Sequence, residues 1–248
     1  ASLSVCFRAL TTSPEDEFIT IAPFFPEYRV FVEANGAKLV VVPPHTSDFQ
    51  IDFEALEKAI SAHTKGVIIN SPNNPSGAVE VPYVTKYYAN TLVCYSYSKS
   101  LSLPGERIGY VIVPDEVTES KTVYAAIAGA GRALGYVCAP SMFQKVIAAC
   151  VGNTGDIELY KKNRDLLYDG LTKIGYECFK PQGAFYMFVK ALEPDADAFC
   201  ERAREQDLLI VSANGFGCPG YARVSYCVDY DMIERSFLAF EKLYQSYR

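Results

Sequence analysis

The chain has 248 residues, a net charge of −6 and a hydrophobic fraction of 50%, which predicts a globular protein with one large or two modest cores. The acidic balance argues against nucleic acid or an anionic membrane as a partner. No apolar run reaches the ~20 residues that a membrane span needs, and the first residues do not resemble a signal peptide. Eight cysteines without a Cys-x-x-Cys pair favour buried, reduced thiols in a cytoplasmic protein, and with only two histidines no metal site is expected.

The first 70 residues alternate between helical and strand patterns. The predicted elements are a helix over 1–10, a strand over 17–21, a helix over 29–35, a strand over 38–42, a helix over 53–62 and a strand over 66–70. The helix over 53–62 begins near Asp52 and is expected to turn Phe53, Leu56 and Ile60 towards the core. Such alternation predicts an α/β fold with an open sheet that binds ligands at the carboxyl ends of its strands.

Two unusual segments directly follow predicted strands. Residues 22–28, Ala-Pro-Phe-Phe-Pro-Glu-Tyr, bring aromatic rings that either pack in the core or offer a flat face to a ligand; core packing is the commoner use. Residues 71–77, Ser-Pro-Asn-Asn-Pro-Ser-Gly, are all frequent in turns, which is the simpler interpretation.

A third segment, 91–110, begins as a strand that looks buried and then becomes small and polar. Lys99 lies among serines that include Ser96 and Ser98, and Arg107 follows eight residues later. A lysine shielded from water at a strand end can act as a nucleophile or base, and hydroxyls with a guanidinium can hold a phosphate. A solvated lysine is the ordinary alternative.

The rest of the chain predicts a second, smaller α+β domain, with a division into 1–135 and 136–248. Its expected elements are helices over 156–174, 195–206 and 232–247 and strands over 175–179, 184–189, 208–211 and 221–226. Between them and the polar segment, helices are expected over 117–131 and 134–151. Arg223 lies in the middle of a predicted strand, where a charge is costly unless it is paired.

These motifs, in this order, resemble those of the class I/II, fold-type I aminotransferases that use pyridoxal 5′-phosphate (PLP), and most of all the bacterial aspartate aminotransferases. The resemblance covers nearly the whole chain. It implies a large PLP-binding domain with a mostly parallel sheet, a smaller C-terminal α+β domain, and a cytoplasmic homodimer. The implied reaction moves the amino group of an L-amino acid, aspartate before others, to a 2-oxo acid such as 2-oxoglutarate.

The same resemblance assigns roles to single residues. Lys99 would be the catalytic residue and would hold PLP as a Schiff base, and Arg223 would grip the substrate α-carboxylate. Phe25 would stack on the cofactor ring, and Asn74 would donate to its ring oxygen. The full cofactor-binding set implied in this way is Phe25, Asn74, Ser96, Ser98, Lys99 and Arg107, the two serines and Arg107 serving the phosphate.

The sequence departs from the family pattern between Asn74 and Lys99, which are 25 residues apart, fewer than in the family. No aspartate lies between Asp52 and Asp115, so the family's aspartate at the pyridine nitrogen has no counterpart. The family's N-terminal arm and its glycine-rich phosphate turn are also missing. We therefore expect that segments before residue 1 and at a junction near Val79–Glu80 are absent from this sequence.

Other functions stay open at this point. An alanine or aromatic-amino-acid aminotransferase or a PLP-dependent C–S lyase would use the same lysine, and a non-catalytic relative is a further alternative. A second arginine for a dicarboxylate side chain is not identified by any motif, and Arg8, Arg29 and Arg132 are all candidates.

Overall fold

The computed structural model describes residues 1–79 and 83–248, which form helices and strands along the whole chain. The first elements are α1 (Ser2–Leu10), β1 (Glu17–Ile21), α2 (Glu27–Glu33), β2 (Lys38–Val42), α3 (Phe53–Ala59), β3 (Thr64–Ile68), β4 (Val93–Ser96), α4 (Tyr97–Ser100) and β5 (Gly109–Ile112). They are followed by α5 (Ser120–Ala133), α6 (Ser141–Cys150), α7 (Ile157–Ile174), β6 (Cys178–Phe179), β7 (Tyr186–Lys190), α8 (Ala196–Arg204), β8 (Val211–Ser212), β9 (Tyr221–Ser225) and α9 (Tyr230–Gln245). Short 3-10 helices occupy Val84–Lys86 and Asn214–Phe216.

The described residues form two compact units. Unit 1 contains Ala1–Glu17, Arg29–Lys38 and Tyr83–Ile157; unit 2 contains Phe18–Tyr28, 39–79 and Glu158–Arg248. Each unit therefore combines residues from both sides of the expected boundary between 135 and 136, and the division into domains at that boundary stays a prediction. No helix in the described part of the chain is long and apolar enough to cross a membrane.

Unit 1 is built around the contact between α1 and α5, whose apolar faces bury Val5, Cys6, Ile127 and Ala130. Beside them, β4 and β5 pair antiparallel, with Ser96 opposite Gly109. The expectation that the strand at 91–95 is buried is wrong, because most of β4 is exposed. Within the described residues it has β5 as its only neighbouring strand, so water reaches much of its surface.

Unit 2 contains a four-stranded antiparallel sheet in the order β6-β7-β9-β8. Helices α7, α8 and α9 pack their apolar residues on it, with Leu171, Phe199 and Leu243 almost fully buried. The unit also contains the three-stranded sheet β2-β1-β3, except for Glu17 and Lys38, the first residues of β1 and β2, which belong to unit 1. Helix α2 connects β1 to β2, and helix α3 connects β2 to β3. Sheets combined with helical connections confirm the α/β class.

Helix α3 differs from its prediction. It begins as expected, because the Asp52 side chain accepts a hydrogen bond from the Ala55 amide, but it ends at Ala59. Phe53 and Ile60 are exposed rather than turned inward, and Leu56 alone of the three expected residues packs against the cluster around Ile19 and Val42. Such a short helix places a single face on the sheet, which leaves its ends in water.

The cysteines depart from their prediction in a similar way. All eight are free thiols, but only Cys6 and Cys218 are buried. Cys94, Cys138 and Cys227 are exposed, because the strands and loops that carry them are covered on one side at most.

Gly77 joins the loop after β3 to the turn before β7 within unit 2. Its carbonyl accepts hydrogen bonds from the amides of Gln182 and Gly183, at 3.0 and 2.9 Å. Its φ of +72° lies in the left-handed region, and a Cβ added there would come within 2.5 Å of Pro181 Cβ. Only glycine satisfies both conditions without displacing the neighbouring backbone.

We predict that Gly77→Ala lowers the free energy of unfolding by about 2–4 kcal/mol, combining left-handed strain with overpacking. The matched control is Gly129→Ala in α5, where an added Cβ meets nothing within 4 Å and helix propensity favours alanine by up to about 1 kcal/mol. Urea unfolding followed by circular dichroism measures both. Equal stability of the two variants would contradict the proposed close approach.

Candidate active site

The residues predicted to form a site fall into two groups, one in each unit. Unit 1 carries Ser96, Ser98, Lys99 and Arg107, and unit 2 carries Phe25, Asn74 and Arg223.

In unit 1, Lys99 lies on a helical turn that starts where β4 ends. Ser96 is the N-cap of α4, and its Oγ accepts a hydrogen bond from the Ser98 amide at 3.2 Å. The Ser96 hydroxyl also donates to Ser98 Oγ at 2.8 Å. The cap stops the strand and turns the chain, so Lys99 and Ser96 are exposed while Ser98 is half-buried. The sequence suggested that Lys99 follows a buried strand. This expectation is wrong, because most of β4 is exposed.

Arg107 belongs to the loop that returns from α4 to β5. The Tyr97 amide donates to the Ile108 carbonyl at 3.1 Å, which closes the base of this loop. Arg107 is exposed with φ +53°, and its NH1 group donates to the Pro104 carbonyl at 2.9 Å. This hydrogen bond therefore joins the residue that follows Ser96 to the residue that follows Arg107.

Gly109 allows the two strands to approach closely at the same point. A Cβ on this residue would lie 2.3 Å from the Tyr95 carbonyl oxygen. The pairing of β4 with β5, which anchors the loop of Arg107, therefore requires a glycine at position 109.

The chemistry of this first group suits a phosphate. Two hydroxyls and a guanidinium, with a lysine beside them, supply hydrogen-bond donors and positive charge in one exposed loop, Ser96 to Arg107. A phosphate dianion needs such donors. The donor set therefore fits the phosphate of PLP, and the Lys99 amine supplies a nucleophile next to it.

In unit 2, Arg223 and Asn74 are hydrogen-bonded. Arg223 NH1 donates to Asn74 Oδ1 at 3.2 Å, although the residues are 149 apart in the chain. The guanidinium carbon lies 4.1 Å from the ring centroid of Tyr186 and 4.6 Å from that of Phe216. Burial lowers the pKa of Arg223 below its ordinary value, but an arginine stays protonated in proteins. Two aromatic rings and one amide thus hold a half-buried cation in place.

The loop before Asn74 is anchored by its neighbour. The side chain of Asn73 is buried, and its Nδ2 group donates to the Pro23 carbonyl at 2.9 Å and to Ser76 Oγ at 3.0 Å. Asn73 therefore fixes the backbone that presents Asn74, and it ties this loop to the aromatic segment that follows β1.

Phe25 lies in that aromatic segment and is half-buried. Its ring meets Tyr28 edge-on, with 5.7 Å between the centroids. The neighbouring Phe24 amide donates to the Phe216 carbonyl at 3.0 Å. Since the ring of Phe216 also lies against Arg223, Phe216 links the segment that carries Phe25 to the network of Asn74 and Arg223.

Sequence reasoning missed three residues of this network, Asn73, Tyr186 and Phe216. The strand predicted over 184–189 contains Tyr186, but the prediction gave the tyrosine no role. Phe216 had no signal, because it lies in a 3-10 helix inside a glycine-rich loop. Asn73 received no role because the family motif assigned its asparagine to the adjacent Asn74.

Other sequence-based expectations concern the remaining charges. Among the three candidate arginines for a second carboxylate, Arg29 forms an ion pair with Glu33 at 2.9 Å.

Of the residues that the structure describes, no group of three or more histidine, cysteine or acidic side chains could hold a metal ion. The expected junction near Val79–Glu80 includes Glu80, which lies outside the described residues.

Comparison with known proteins identifies the relatives of the chain. The family described as aminotransferase class I and II matches residues 1–80 and 80–237. A solved structure of an amino transferase from Eubacterium rectale is 62% identical, with a TM-score of 0.97, over 100% of this chain and 72% of that chain. The aspartate/prephenate aminotransferase of Thermus thermophilus is 26% identical over 275 residues, which cover 96% of this chain and 71% of the relative.

A further relative carries a different substrate in its name. It is the probable N-acetyl-LL-diaminopimelate aminotransferase of Bacillus subtilis, 27% identical over 276 residues, or 94% of this chain and 68% of the relative. Both of these alignments are longer than the chain itself, so the relatives contain residues that this chain lacks. The family match also consists of two segments that meet at residue 80.

We predict losses of stability of different size for the two neighbouring asparagines. Asn73→Ala leaves the buried Pro23 carbonyl without its donor and lowers the free energy of unfolding by about 1–3 kcal/mol. Asn74→Ala removes one hydrogen bond of a half-buried side chain and costs less than about 1 kcal/mol. Thermal and urea unfolding of both variants test this difference, and a loss of stability at Asn74 as large as that at Asn73 would refute it.

Proposed function

Because the chain belongs to the class I and II aminotransferases, we propose that it transfers the amino group of L-aspartate to 2-oxoglutarate. Aminotransferase activity, with PLP as cofactor and amino acids and 2-oxo acids as substrates, follows from the family. Aspartate is favoured because the aspartate/prephenate aminotransferase of Thermus thermophilus is among the relatives. The observation that carries the site is the cap at the end of β4, which presents Lys99 beside two hydroxyls and within one loop of Arg107.

The residues of unit 1 would hold the cofactor. Ser96 and Ser98 donate hydroxyl hydrogen bonds to the phosphate and Arg107 contributes charge and a fork of donors. Lys99 would hold the cofactor covalently through Nζ. When bound, PLP supplies an electron sink for the charge that develops at the substrate Cα.

Lys99 would have a second role in proton transfer. Its amine would take the proton from the substrate Cα as general base and would later give up a proton as general acid.

Asn74 and Phe25 would contact the cofactor ring. Asn74 Oδ1 already accepts the hydrogen bond from Arg223, so its Nδ2 group is the donor left for the ring oxygen. Phe25 would pack its ring against one face of the cofactor, as aromatic rings do with flat heterocycles.

Arg223 would bind the α-carboxylate of the substrate. A guanidinium offers two parallel donors to a carboxylate, which fixes both position and orientation. The rings of Tyr186 and Phe216 already restrict its movement, so little conformational entropy is lost when the substrate binds. A substrate held at this point has its Cα–H bond in a defined direction, which favours proton loss.

The partner of the pyridine nitrogen is assigned to no residue of this chain. The family places an aspartate there, and the sequence has none between Asp52 and Asp115. The two-segment family match that meets at residue 80 supports the proposal that this segment is absent from the sequence near Val79–Glu80.

We also propose that the protein works as a cytoplasmic homodimer. The dimer rests on the family resemblance. The location is supported by the acidic composition and by eight free thiols, which suit a reducing compartment.

A second candidate function is the amination of another 2-oxo acid. The name of the Bacillus subtilis relative, a probable N-acetyl-LL-diaminopimelate aminotransferase, supports this alternative. Alanine and aromatic amino acids, and C–S bond cleavage, are further alternatives. Incubation of each amino donor with 2-oxoglutarate distinguishes them, since a transaminase forms glutamate and a new 2-oxo acid. Release of ammonia and a thiol instead of glutamate would show a lyase.

We predict that Lys99→Ala lowers kcat by about 10³-fold or more, because both the covalent attachment and the proton transfer are lost. The visible absorption of the lysine-bound cofactor disappears as well. Lys145→Ala on α6, an exposed lysine outside the site, serves as the control and keeps both signals. Full activity of Lys99→Ala would overturn the assignment.

We predict that Arg223→Lys raises KM for aspartate and for 2-oxoglutarate by about 10- to 100-fold, because lysine cannot form the two-donor fork. Arg235→Lys, a change at an exposed arginine of α9, leaves KM unchanged. Initial rates over a range of each substrate measure the effect. A fall in kcat with unchanged KM values would argue against carboxylate binding by Arg223.

A further inference from the structure

Two cysteines that the proposed reaction does not use lie in contact within unit 1. Cys6 Sγ and Cys94 Sγ are 3.6 Å apart and share a hydrogen bond, although the residues are 88 positions apart in the chain. Cys6 is on α1 and buried, and Cys94 is on β4 and exposed. Helix α1 packs directly against β4, so the proximity comes from the packing of two regular elements.

We propose that Cys6 and Cys94 are a redox-reactive pair that peroxide converts into a reversible disulfide between α1 and β4. A disulfide bond is about 2.05 Å long, so the two sulfur atoms need to approach by about 1.5 Å from their present separation. Side-chain rotation at two adjacent cysteines covers such a distance.

The environment assigns different roles to the two thiols. The hydrogen bond with Cys6 lowers the pKa of Cys94, which favours its thiolate. The same hydrogen bond, together with burial, raises the pKa of Cys6. The exposed residue is thus the nucleophile that meets the oxidant, and the buried one is the resolving thiol.

The reaction balances with hydrogen peroxide as the oxidant. The Cys94 thiolate attacks one peroxide oxygen, the O–O bond breaks, and hydroxide leaves, which gives a sulfenic acid at Cys94. The Cys6 thiol then attacks the sulfenic sulfur, the S–S bond forms, and the hydroxyl group leaves as water. The two thiols lose two electrons and the peroxide gains them, so that one peroxide yields one disulfide and two waters. A dithiol reductant reverses the change by thiol–disulfide exchange.

The link would act on the strand that leads to the proposed cofactor lysine. Cys94 lies two residues before Ser96, the cap of the turn that carries Lys99. A covalent bond from α1 to this point would hold the end of β4 more firmly, and it would tie together residues far apart in the chain.

The test uses the PLP-saturated protein, reduced and then freed of reductant. Trypsin cuts after Arg8, Lys86 and Lys99, so Cys6 is in the peptide that ends at Arg8 and Cys94 is the only cysteine of the peptide 87–99. After equimolar hydrogen peroxide and alkylation of the remaining thiols, mass spectrometry of the unreduced digest should show these two peptides linked. Two thiols per chain should be lost and regained with dithiothreitol. If both peptides are alkylated and unlinked, the proposal is overturned.

Three variants provide the controls. Cys138→Ser removes another exposed thiol and should form the link as the unchanged protein does. Cys94→Ser should keep its other thiols at the same peroxide dose, and Cys6→Ser should accumulate a sulfenic acid at Cys94 that dimedone traps. Equal thiol loss in Cys94→Ser and the unchanged protein, or a link from Cys94 to another cysteine, would refute the pairing.

Discussion

The buried amide of Asn73 holds together the part of unit 2 that carries the residues proposed to bind the substrate. Its hydrogen bond to the Pro23 carbonyl joins the loop after β3 to the segment after β1, and its bond to Ser76 Oγ closes the loop itself. The carbonyl of Gly77 joins the same loop to the turn before β7. With the loop fixed from both sides, Asn74 points at Arg223 on β9. An unpaired amide at this depth would be costly, so the loop has one arrangement that satisfies its polar groups, and the functional side chains follow from it.

The two groups of site residues solve different electrostatic problems. In unit 1, Lys99 and Arg107 are exposed to water in the loop that we propose to bind a phosphate. In unit 2, Arg223 is half-buried, and aromatic rings and an amide stabilise it. The first arrangement suits a cofactor that stays, because several donors contribute at once. The second suits a substrate that comes and goes, because the cation is held in position before it binds.

Much of the fold was predictable because periodicity and capping residues agree with it. Strands β1 and β2 have the bounds that the sequence predicts, 17–21 and 38–42, and Asp52 and Asp195 cap helices as their residue type predicts. The motif residues Asn74 and Arg223 were found through the family resemblance, and the structure joins them by a hydrogen bond. What failed was burial: Phe53, Ile60 and most of β4 are exposed, because amphipathic spacing shows which face is apolar but not whether another element covers it. The contact of Arg223 with the rings of Tyr186 and Phe216 was also not predicted, because these residues lie far apart in the sequence.

Each unit is assembled from three separate stretches of the chain, and this has a consequence for synthesis. On the ribosome, residues 18–28 and 39–79 of unit 2 emerge well before residues 158–248, which supply Gln182, Gly183 and Arg223. Until then the Gly77 carbonyl lacks its hydrogen bonds from Gln182 and Gly183, Asn74 lacks its hydrogen bond from Arg223, and strands β1 to β3 lack the later part of their unit. Long waits of this kind slow folding and expose sticky surface, so we expect the newly made chain to depend on chaperones more than a protein of this size with local contacts would.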